Sequence, residues 1–420
     1  MIITKEHLEK FDKGVPKRLL IDGHIKEYQT YLVPLDYLYY NNLNGRIATY
    51  IEEYNANPNN DNLSTILKNN MQSYNDLIAE FIILSANDSG KSFKKTKQDI
   101  EKIGQREPGV VLSDGRIIDG NRRFTAIREL YKEQGNPKFA FFEAACIDAP
   151  DDNDSDGWKR IKELELWLQF NGDEKKDYDK IDLLVSFYRD TVDPNTKILD
   201  KKQYCYVSGI TTTKYDENMN IIRIMLDYLE WRNKSNAFYI LKNEKLDGPI
   251  EDIAKATKKM NKEEWLSMKD YIYFYMTHVQ IGDRTRDIRD LVKSAKTNGI
   301  LYKTFKGIID NPNTLNRLAT AVEKKDEEIN TPEDSIKVKE EQEKVQRILI
   351  DAYETSRYQN KIESSNNEPI KLLEETISRI EKVDLAIIKN MDTNQKHNVE
   401  SKLSDLERKL TGIKKALQNE

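Results

Sequence analysis

The chain has 420 residues, with 67 Lys and Arg against 72 Asp and Glu, a net charge of −5 and a pI of about 5.7. Hydrophobic residues make up 38% and charged residues 33%, which predicts a very polar surface and about two to four domains. This balance excludes nucleic-acid binding through a uniformly basic surface, so DNA binding would need local basic patches. No apolar run is long enough to span a membrane, and the N-terminal residues lack a signal-peptide core, so we predict a cytoplasmic protein without membrane contact.

Cysteine and histidine spacing excludes the common thiolate and zinc sites. Cys146 and Cys205 do not form a CxxC pair, and the four histidines show no HxH or HExxH pattern. The sequence therefore predicts neither a disulfide framework nor a metal site of these kinds.

The first hundred residues are predicted to pass from a leader into strands and then helices. Residues 1–27 look like a leader with a short helix. Residues 27–40 are rich in Tyr, Leu and Val, which favours strands, and Pro34 indicates an edge or a strand end. An Asn-rich turn follows at 41–45, and residues 47–103 carry apolar faces at helical spacing.

The next segment alternates strand and helix signals. Residues 110–112 and 116–119 predict a hairpin around the Ser-Asp-Gly turn at 113–115. Gly120 ends the second strand, and Asn121 is predicted as the N-cap of a helix that runs to Tyr131. Residues 138–147 predict a further strand.

An acidic joint follows, and it has two interpretations. Residues 151–157 are rich in Asp, Asn and Gly, which is typical of a solvated turn before a helix. Asp152, Asp154, Asp156, Gly157 and Glu163 also fit the spacing of a calcium-binding loop. The strand that precedes the joint favours the solvated interpretation, because a calcium-binding loop of this kind follows a helix. Three basic residues between Asp152 and Glu163 also favour the solvated joint.

From Trp158 onward the pattern is helical. A Gly-centred turn at 208–211 lies between two helical stretches, as a helix-turn-helix requires, although an ordinary helix pair is the alternative. In a helix-turn-helix, side chains at the second helix start would contact DNA phosphates. These are Thr211, Thr212, Thr213, Lys214 and Tyr215.

The last hundred residues predict charged helices. Residues 323–334 read as a linker, Pro369 is predicted to restart a helix, and two apolar runs favour an antiparallel hairpin or short coiled coil. The runs are Ile370, Leu373, Ile377 and Ile380, and then Leu403, Leu406, Leu410, Ile413 and Leu417. We predict an α+β chain with a small mixed-sheet domain (1–157), a mainly helical domain (158–325) and a charged helical hairpin region (326–420).

The most informative segment is the strand, glycine and helix start at 116–123. Gly120 lets a ligand approach the backbone closely, and the following N–H groups open a helix, whose positive end suits phosphate. Arg122 and Arg123 add forked donors that match phosphate oxygens. In this context, phosphate binding is favoured over a surface turn with two solvated arginines.

The segment Gly120-Asn121-Arg122-Arg123 resembles the GERR or GxRR box of the ParB/sulfiredoxin superfamily, with Asn121 where many members have Glu. The resemblance covers about residues 28–230, and it implies a nucleotide-phosphate site placed before a helix-turn-helix. Arg46, after the Asn-rich turn, is similar in position to a second phosphate or base contact of the family. Gln105 and Pro108 resemble the family's Gln-Pro segment before the central strand.

The stretch 163–178 loosely resembles the family box that closes on the nucleotide. The arginine of that box is missing here, so Gln169 or Lys176 would take its place. The long helical insertion between Arg46 and Gln105 departs from the family pattern. Sulfiredoxin chemistry is rejected because no reactive cysteine lies in the box, and Cys146 is predicted to be structural.

Three functions follow from these observations. The first is a nucleotide-gated protein that binds CTP or ATP and DNA, in partition, regulation or defence, with a homodimer as its assembly. The second is an enzyme, an NTPase, nuclease or kinase, in which carboxylates such as Asp119, with Asp114 and Glu107 nearby, would hold Mg²⁺. The third is a helical interaction scaffold that works through the charged tail.

Overall fold

The computed structural model describes residues 2–85, 90–171, 179–258, 260–279, 283–325 and 332–418. Within these ranges, a mixed five-stranded sheet with helices precedes a large, mainly helical region, which confirms the predicted α+β class. Two compact units are distinguished, Met1–Asp351 and Ala352–Glu420. No helix in the described part of the chain is both long and apolar enough to cross a membrane.

Among the residues that the structure describes, the strands all lie in the first 147 positions. They are β1 (Lys17–Ile21), β2 (His24–Tyr28), β3 (Thr30–Pro34), β4 (Tyr39–Tyr40), β5 (Gly109–Leu112), β6 (Arg116–Asp119) and β7 (Phe141–Ile147). β1 and β2 form an antiparallel hairpin, and the larger sheet has the order β3-β7-β5-β6-β4. In that sheet, β3–β7 and β5–β6 pair antiparallel, whereas β5–β7 and β4–β6 pair parallel.

Helices occupy most of the remaining described residues. They are α1 (Lys5–Lys10), α2 (Ala48–Ala56), α3 (Leu63–Asn69), α4 (Met71–Leu84), α5 (Lys91–Ile103), α6 (Asn121–Gln134), α7 (Ser155–Asn171), α8 (Lys180–Thr191), α9 (Lys201–Ser208), α10 (Thr212–Trp231), α11 (Phe238–Asn243), α12 (Asp247–Thr257), α13 (Lys262–Leu266), α14 (Lys269–His278), α15 (Arg284–Lys296), α16 (Ile300–Ile309), α17 (Pro312–Lys325), α18 (Pro332–Ile380), α19 (Leu385–Lys389) and α20 (Thr393–Gln418).

The five-stranded sheet is buried on both faces because apolar residues occupy consecutive positions of its central strands. Successive side chains of a strand point to opposite faces. Val111 and Ile117 join one core with α4 and α6, whereas Val110, Leu112 and Ile118 join a second core with β1 and α7. The end of β6, where the candidate site begins, is therefore held from both sides.

Several predicted elements are confirmed, and others are wrong. Pro34 ends the edge strand β3, as predicted. The predicted leader also contains the β1–β2 hairpin, which turns over Asp22-Gly23, and an Asp-Gly pair is a hairpin signal that the prediction missed. The N-cap of α6 is Gly120, and Asn121 is its first helical residue. α18 continues through Pro369, so the predicted helix restart there is wrong.

The unit Ala352–Glu420 is helical in its described residues, and much of its apolar side-chain surface is exposed. Ile370 and Ile377 are each 56% exposed, and Leu403 is 52% exposed. Both predicted apolar runs thus present side chains to solvent.

Candidate functional site

A cavity of about 150 Å³ opens beside the end of β6. Its walls come from the β1 strand, the turn before α2, the end of α4, the middle of α5, the start of α6 and one face of α7. The lining residues are Lys17, Asn44, Arg46, Ile82, Ser85, Thr96, Glu107, Ile118, Asp119, Gly120, Asn121, Arg122, Arg123, Glu165, Leu168 and Gln169. We call this space the anion cavity, because four cations and the start of α6 line it.

The start of α6 presents an open helix end. Gly120 has φ of 94°, in the left-handed region that favours glycine, and it offers no side-chain cap to the helix. A Cβ at Gly120 would meet the Phe142 ring at 2.8 Å and the Gly109 Cα at 3.4 Å. Close packing of the glycine thus aims the uncapped first turn, with its N–H groups and positive end, at the cavity.

The four cations of the anion cavity come from three separate places in the sequence: Lys17, Arg46, and the adjacent pair Arg122 and Arg123. Arg123 Nη2 donates to Asp119 Oδ2 at 3.1 Å, and Lys17 Nζ lies 3.7 Å from the same oxygen. Lys17 also donates to the Pro108 carbonyl at 2.6 Å. Asn44 accepts a hydrogen bond from the Arg46 backbone N–H at 3.0 Å, which fixes the turn that carries Arg46.

Buried polar atoms in the anion cavity lack hydrogen-bond partners among the described residues. These atoms are Asn121 Oδ1, Arg123 Nε and Gln169 Nε2. A buried polar atom without a partner costs about 1–3 kcal/mol, and such atoms are rare in folded proteins. Three such atoms thus converge on one small space, where each has hydrogen-bonding capacity to offer a polar ligand.

The helix α7 supplies the wall opposite the arginines. Glu165 and Gln169, one turn apart, both line the cavity. Burial raises the pKa of Glu165, and Lys162 donates to its carboxylate at 3.2 Å. The ion pair with Lys162 balances the charge of this carboxylate.

The structure brings together most of the residues selected from the sequence. Arg46, Asp119, Gly120, Asn121, Arg122, Arg123 and Gln169 all line the anion cavity. Lys176 lies in 172–178, outside the described residues. Gln105 is also placed structurally: its side chain donates to the Glu143 carbonyl at 2.8 Å and accepts from the Glu143 N–H at 2.9 Å.

Sequence reasoning missed Lys17 and the contribution of the helical insertion. Ile82 and Ser85, at the end of α4, and Thr96, on α5, form one wall. The Asp-Gly hairpin signal could have placed Lys17 on a strand, but no local pattern brings that strand to Gly120.

The predicted helix-turn-helix segment forms two helices, α9 and α10, joined at Gly209. Residues 211–214 are exposed, whereas Tyr215 is buried, with its ring centroid 4.8 Å from that of Phe187. Lys214 lies 3.6 Å from Glu217, and Lys201 lies 2.6 Å from Asp216. The basic side chains here are thus balanced by acidic neighbours, and the Tyr215 ring serves packing.

Of the carboxylates considered for metal binding, Glu107 and Asp119 line the anion cavity together, whereas Asp114 and the calcium-loop segment 152–163 lie outside its lining. α7 begins at Ser155, so a helix occupies most of the calcium-loop segment, and Asp154 accepts the Gly157 N–H at 2.8 Å. Asp114 bonds Tyr39 and Arg116 and does not line the anion cavity, unlike Glu107 and Asp119. Across the described ranges, no group of three or more His, Cys, Asp or Glu side chains could hold a metal ion.

The sulfur chemistry of Cys146 agrees with a structural role. Cys146 lies on β7, and burial raises its pKa to about 12. The thiol is therefore protonated at neutral pH and a poor nucleophile.

Comparison of the chain with protein-family models gave no match, and comparisons with curated proteins and with solved structures gave no significant match either.

Proposed function

We propose that the anion cavity binds the polyphosphate of a nucleoside triphosphate, CTP or ATP, as in proteins of the ParB/sulfiredoxin type. The observation that carries the proposal is the convergence of an uncapped helix start with four cations on one small cavity. Helix N-termini and guanidinium forks are the donors that bind phosphate in proteins. The volume is below the roughly 300–1,000 Å³ of sites for drug-sized ligands, which suits the compact charged part of a nucleotide.

The charge at the cavity supports this proposal further. Lys17, Arg46, Arg122 and Arg123 face three acids, Glu107, Asp119 and Glu165. Asp119 is already paired with Arg123 and Lys17, and Glu165 is paired with Lys162 at 3.2 Å. The cavity therefore keeps positive potential for a phosphate chain.

A thermal-shift screen with CTP, ATP, GTP and UTP, each with Mg²⁺ or with EDTA, tests the proposal. Ligand at about 100 times its Kd stabilises the native state by about 2.7 kcal/mol. We expect at least one nucleotide to raise Tm, and Arg122→Ala with Arg123→Ala to remove the shift. No shift with any nucleotide, or an equal shift in the double variant, would count against binding.

Hydrolysis of the nucleotide is a separate proposal, and Asp119 and Glu107 are the carboxylates that line the cavity for it. Release of phosphate with Mg²⁺, lost in Asp119→Ala while nucleotide binding survives, would establish an enzyme. Binding without release would leave a nucleotide-gated protein. The cytoplasmic location and the homodimer predicted from the sequence stay predictions.

Nucleic-acid binding is a second candidate function, and the observation that favours it lies on α15. Arg286, Arg289, Lys293 and Lys296 are exposed at spacings of three, four and three, which places them on one face of that helix. Arg289 pairs with Asp252 at 3.3 Å. Clustered cations of this kind supply the sequence-independent part of DNA binding.

Fluorescence anisotropy with a short DNA duplex would show which of the two candidate surfaces, α15 or the α9–α10 pair, binds DNA. We expect Arg286→Ala with Lys293→Ala to weaken binding and to reduce its salt dependence. Thr212→Ala with Lys214→Ala should weaken binding only if the α9–α10 pair contacts the DNA. Binding that neither pair of changes affects would reject both surfaces.

A further inference from the structure

A second cavity, of about 660 Å³, lies next to the anion cavity, with Ile118 and Glu165 in the walls of both. This volume lies within the range of small-molecule sites. Its apolar wall is formed by Ile51, Ile118, Trp158, Ile161, Tyr188 and Phe238. An apolar wall of this size, combined with a few buried polar groups, is typical of a site that orients a mostly apolar ligand.

Glu52, on α2, is the polar group whose bonding is incomplete. Its Oε1 accepts from Arg189 Nη2 at 2.6 Å, and the carboxylate side chain is 16% exposed. Oε2 is buried and has no hydrogen-bond partner among the described residues, although the Phe238 backbone N–H lies near enough to the carboxylate to oppose the rise of its pKa. An oxygen in this state is a ready acceptor for a ligand N–H group.

Aromatic rings border this acceptor. The Tyr188 and Phe238 ring centroids lie 5.5 Å apart in a tilted arrangement, and both rings line the cavity with Glu52. Trp158 lies in the same wall, with the Arg116 guanidinium 4.8 Å from its ring centroid. Aromatic walls favour a planar ring, since stacked and edge contacts between rings add to the burial of apolar area.

We propose that this second cavity binds a planar heteroaromatic ring with an exocyclic amino group, and that Glu52 Oε2 accepts a hydrogen bond from that amino group. The ring could belong to a nucleotide whose phosphates occupy the anion cavity, or to a separate ligand. The recognition chemistry is the same for both sources. It does not depend on phosphate binding.

The test uses nucleosides without phosphate, in pairs that differ in the amino group. Calorimetric titrations of the full chain compare adenosine with inosine and cytidine with uridine. The titrations are run at pH 8, above the pKa of about 7 to which burial raises Glu52, so that the carboxylate is ionised. We then expect the amino member of each pair to bind at least about tenfold more tightly, because the oxo group offers Oε2 no donor. Equal affinity within both pairs, or no binding of any nucleoside, would overturn the proposal.

A variant sharpens the test. In Glu52→Gln, the carboxamide oxygen is expected to face Arg189 and its NH₂ group to face the cavity, so the amino preference should vanish or reverse. Glu53→Gln is the matched control, since Glu53 is exposed and bonded by Asn243 at 2.9 Å. Circular dichroism confirms folding, and if Glu52→Gln does not fold, the wild-type preference still decides.

Competition with tripolyphosphate shows whether the ring and the phosphates belong to one nucleotide or to two separate ligands. The same experiment tests ring binding separately from phosphate binding. If one nucleotide spans both cavities, ATP should displace both tripolyphosphate and adenosine. If the ring belongs to a separate ligand, adenosine and ATP should bind together. Discrimination between adenosine and inosine without tripolyphosphate binding would uphold the ring site and reject the phosphate site.

Discussion

Two segments of this chain share a left-handed glycine followed by a helix start with polar side chains, and they differ in almost everything else. At Gly120 the helix has no side-chain cap, and the glycine packs against Phe142. At Gly209 an added Cβ would meet nothing within 4 Å, and the Thr211 side chain caps α10 by accepting the Lys214 N–H at 3.1 Å.

The difference shows what turns a helix start into a binding site. Around Gly120, cations from three parts of the sequence line a cavity that contains buried polar atoms without hydrogen-bond partners among the described residues. Around Gly209, Lys201 and Lys214 are balanced by exposed acids, and the helix donors are partly satisfied within the chain. A glycine turn therefore occurs at both helix starts, but of the two only the one at Gly120 places an uncapped helix end beside clustered cations in a cavity.

Substituting alanine at each of the two glycines should give the largest difference between the two segments. Gly120→Ala combines left-handed strain with a clash against Phe142, so we expect a loss of about 2–5 kcal/mol of stability and of phosphate binding. Gly209→Ala meets only the strain, about 1–2 kcal/mol, and should leave phosphate binding unchanged. Urea denaturation and calorimetry measure both effects, and equal losses in the two variants would contradict the account.

The second prediction concerns the ionisation of Glu52, whose carboxylate lines the second cavity. Burial raises the pKa of Glu52 to about 7 from its ordinary 4.5, despite the opposing effects of Arg189 and the Phe238 N–H, while Asp182 adds to the rise. As pH rises through this window, the unfolded chain loses the proton first, so Glu52 lowers stability from about pH 4.5 to 7.

We expect the stability of the wild type, relative to Glu52→Gln, to fall by about 1–3 kcal/mol between pH 5 and pH 8. Urea denaturation at the two pH values measures this difference, and other titrating groups cancel between the two proteins. Glu53→Gln should show no such change, since its carboxylate is exposed. Parallel stability curves for wild type and Glu52→Gln would show that Glu52 ionises normally.

Lys17 should have the third largest effect. Lys17→Ala removes one cation from the anion cavity but keeps the helix start, so we expect about a tenfold weaker affinity for tripolyphosphate. Lys26→Ala is the matched control on the same hairpin, because Lys26 is exposed on β2 and does not line the cavity. Equal affinities for these two variants would exclude Lys17 from the site.

The cap on α10 gives the smallest effect. Thr211→Ala removes the side-chain acceptor for the Lys214 N–H, and the loss of such a cap costs about 1 kcal/mol. Phosphate binding should stay as in the wild type. A changed affinity of Thr211→Ala for tripolyphosphate would show that the two helix starts are coupled, and would contradict their independence.

Local signals predicted the centre of the site, and long-range contacts determined its walls. The β5–β6 hairpin, the turn at Gly120 and helix α6 could be predicted, because the conformational preferences of Val, Ile and Gly depend mainly on neighbouring residues. Lys17 was missed because its strand reaches the cavity only through the tertiary fold. Glu52 was missed for the same reason: on its own helix it resembles a solvated residue, and α8 and Phe238 bury it.

The helical region shows the same limit. The turn at Gly209 was predicted from local sequence and is confirmed. The burial of Tyr215 could not be predicted, because it depends on Phe187 of α8 and Tyr204 of α9. A helix start with Thr, Lys and Tyr has the same composition whether it contacts DNA or packs into a core.

Calorimetric titration of inorganic tripolyphosphate tests the central claim most directly. Wild type should bind, Arg122→Ala with Arg123→Ala should lose binding by about a hundredfold or more, and Lys201→Ala with Lys214→Ala should bind as the wild type does. No heat of binding with the wild type, or the same affinity in all three proteins, would contradict the claim that the helix start at Gly120 and its arginines form an anion site.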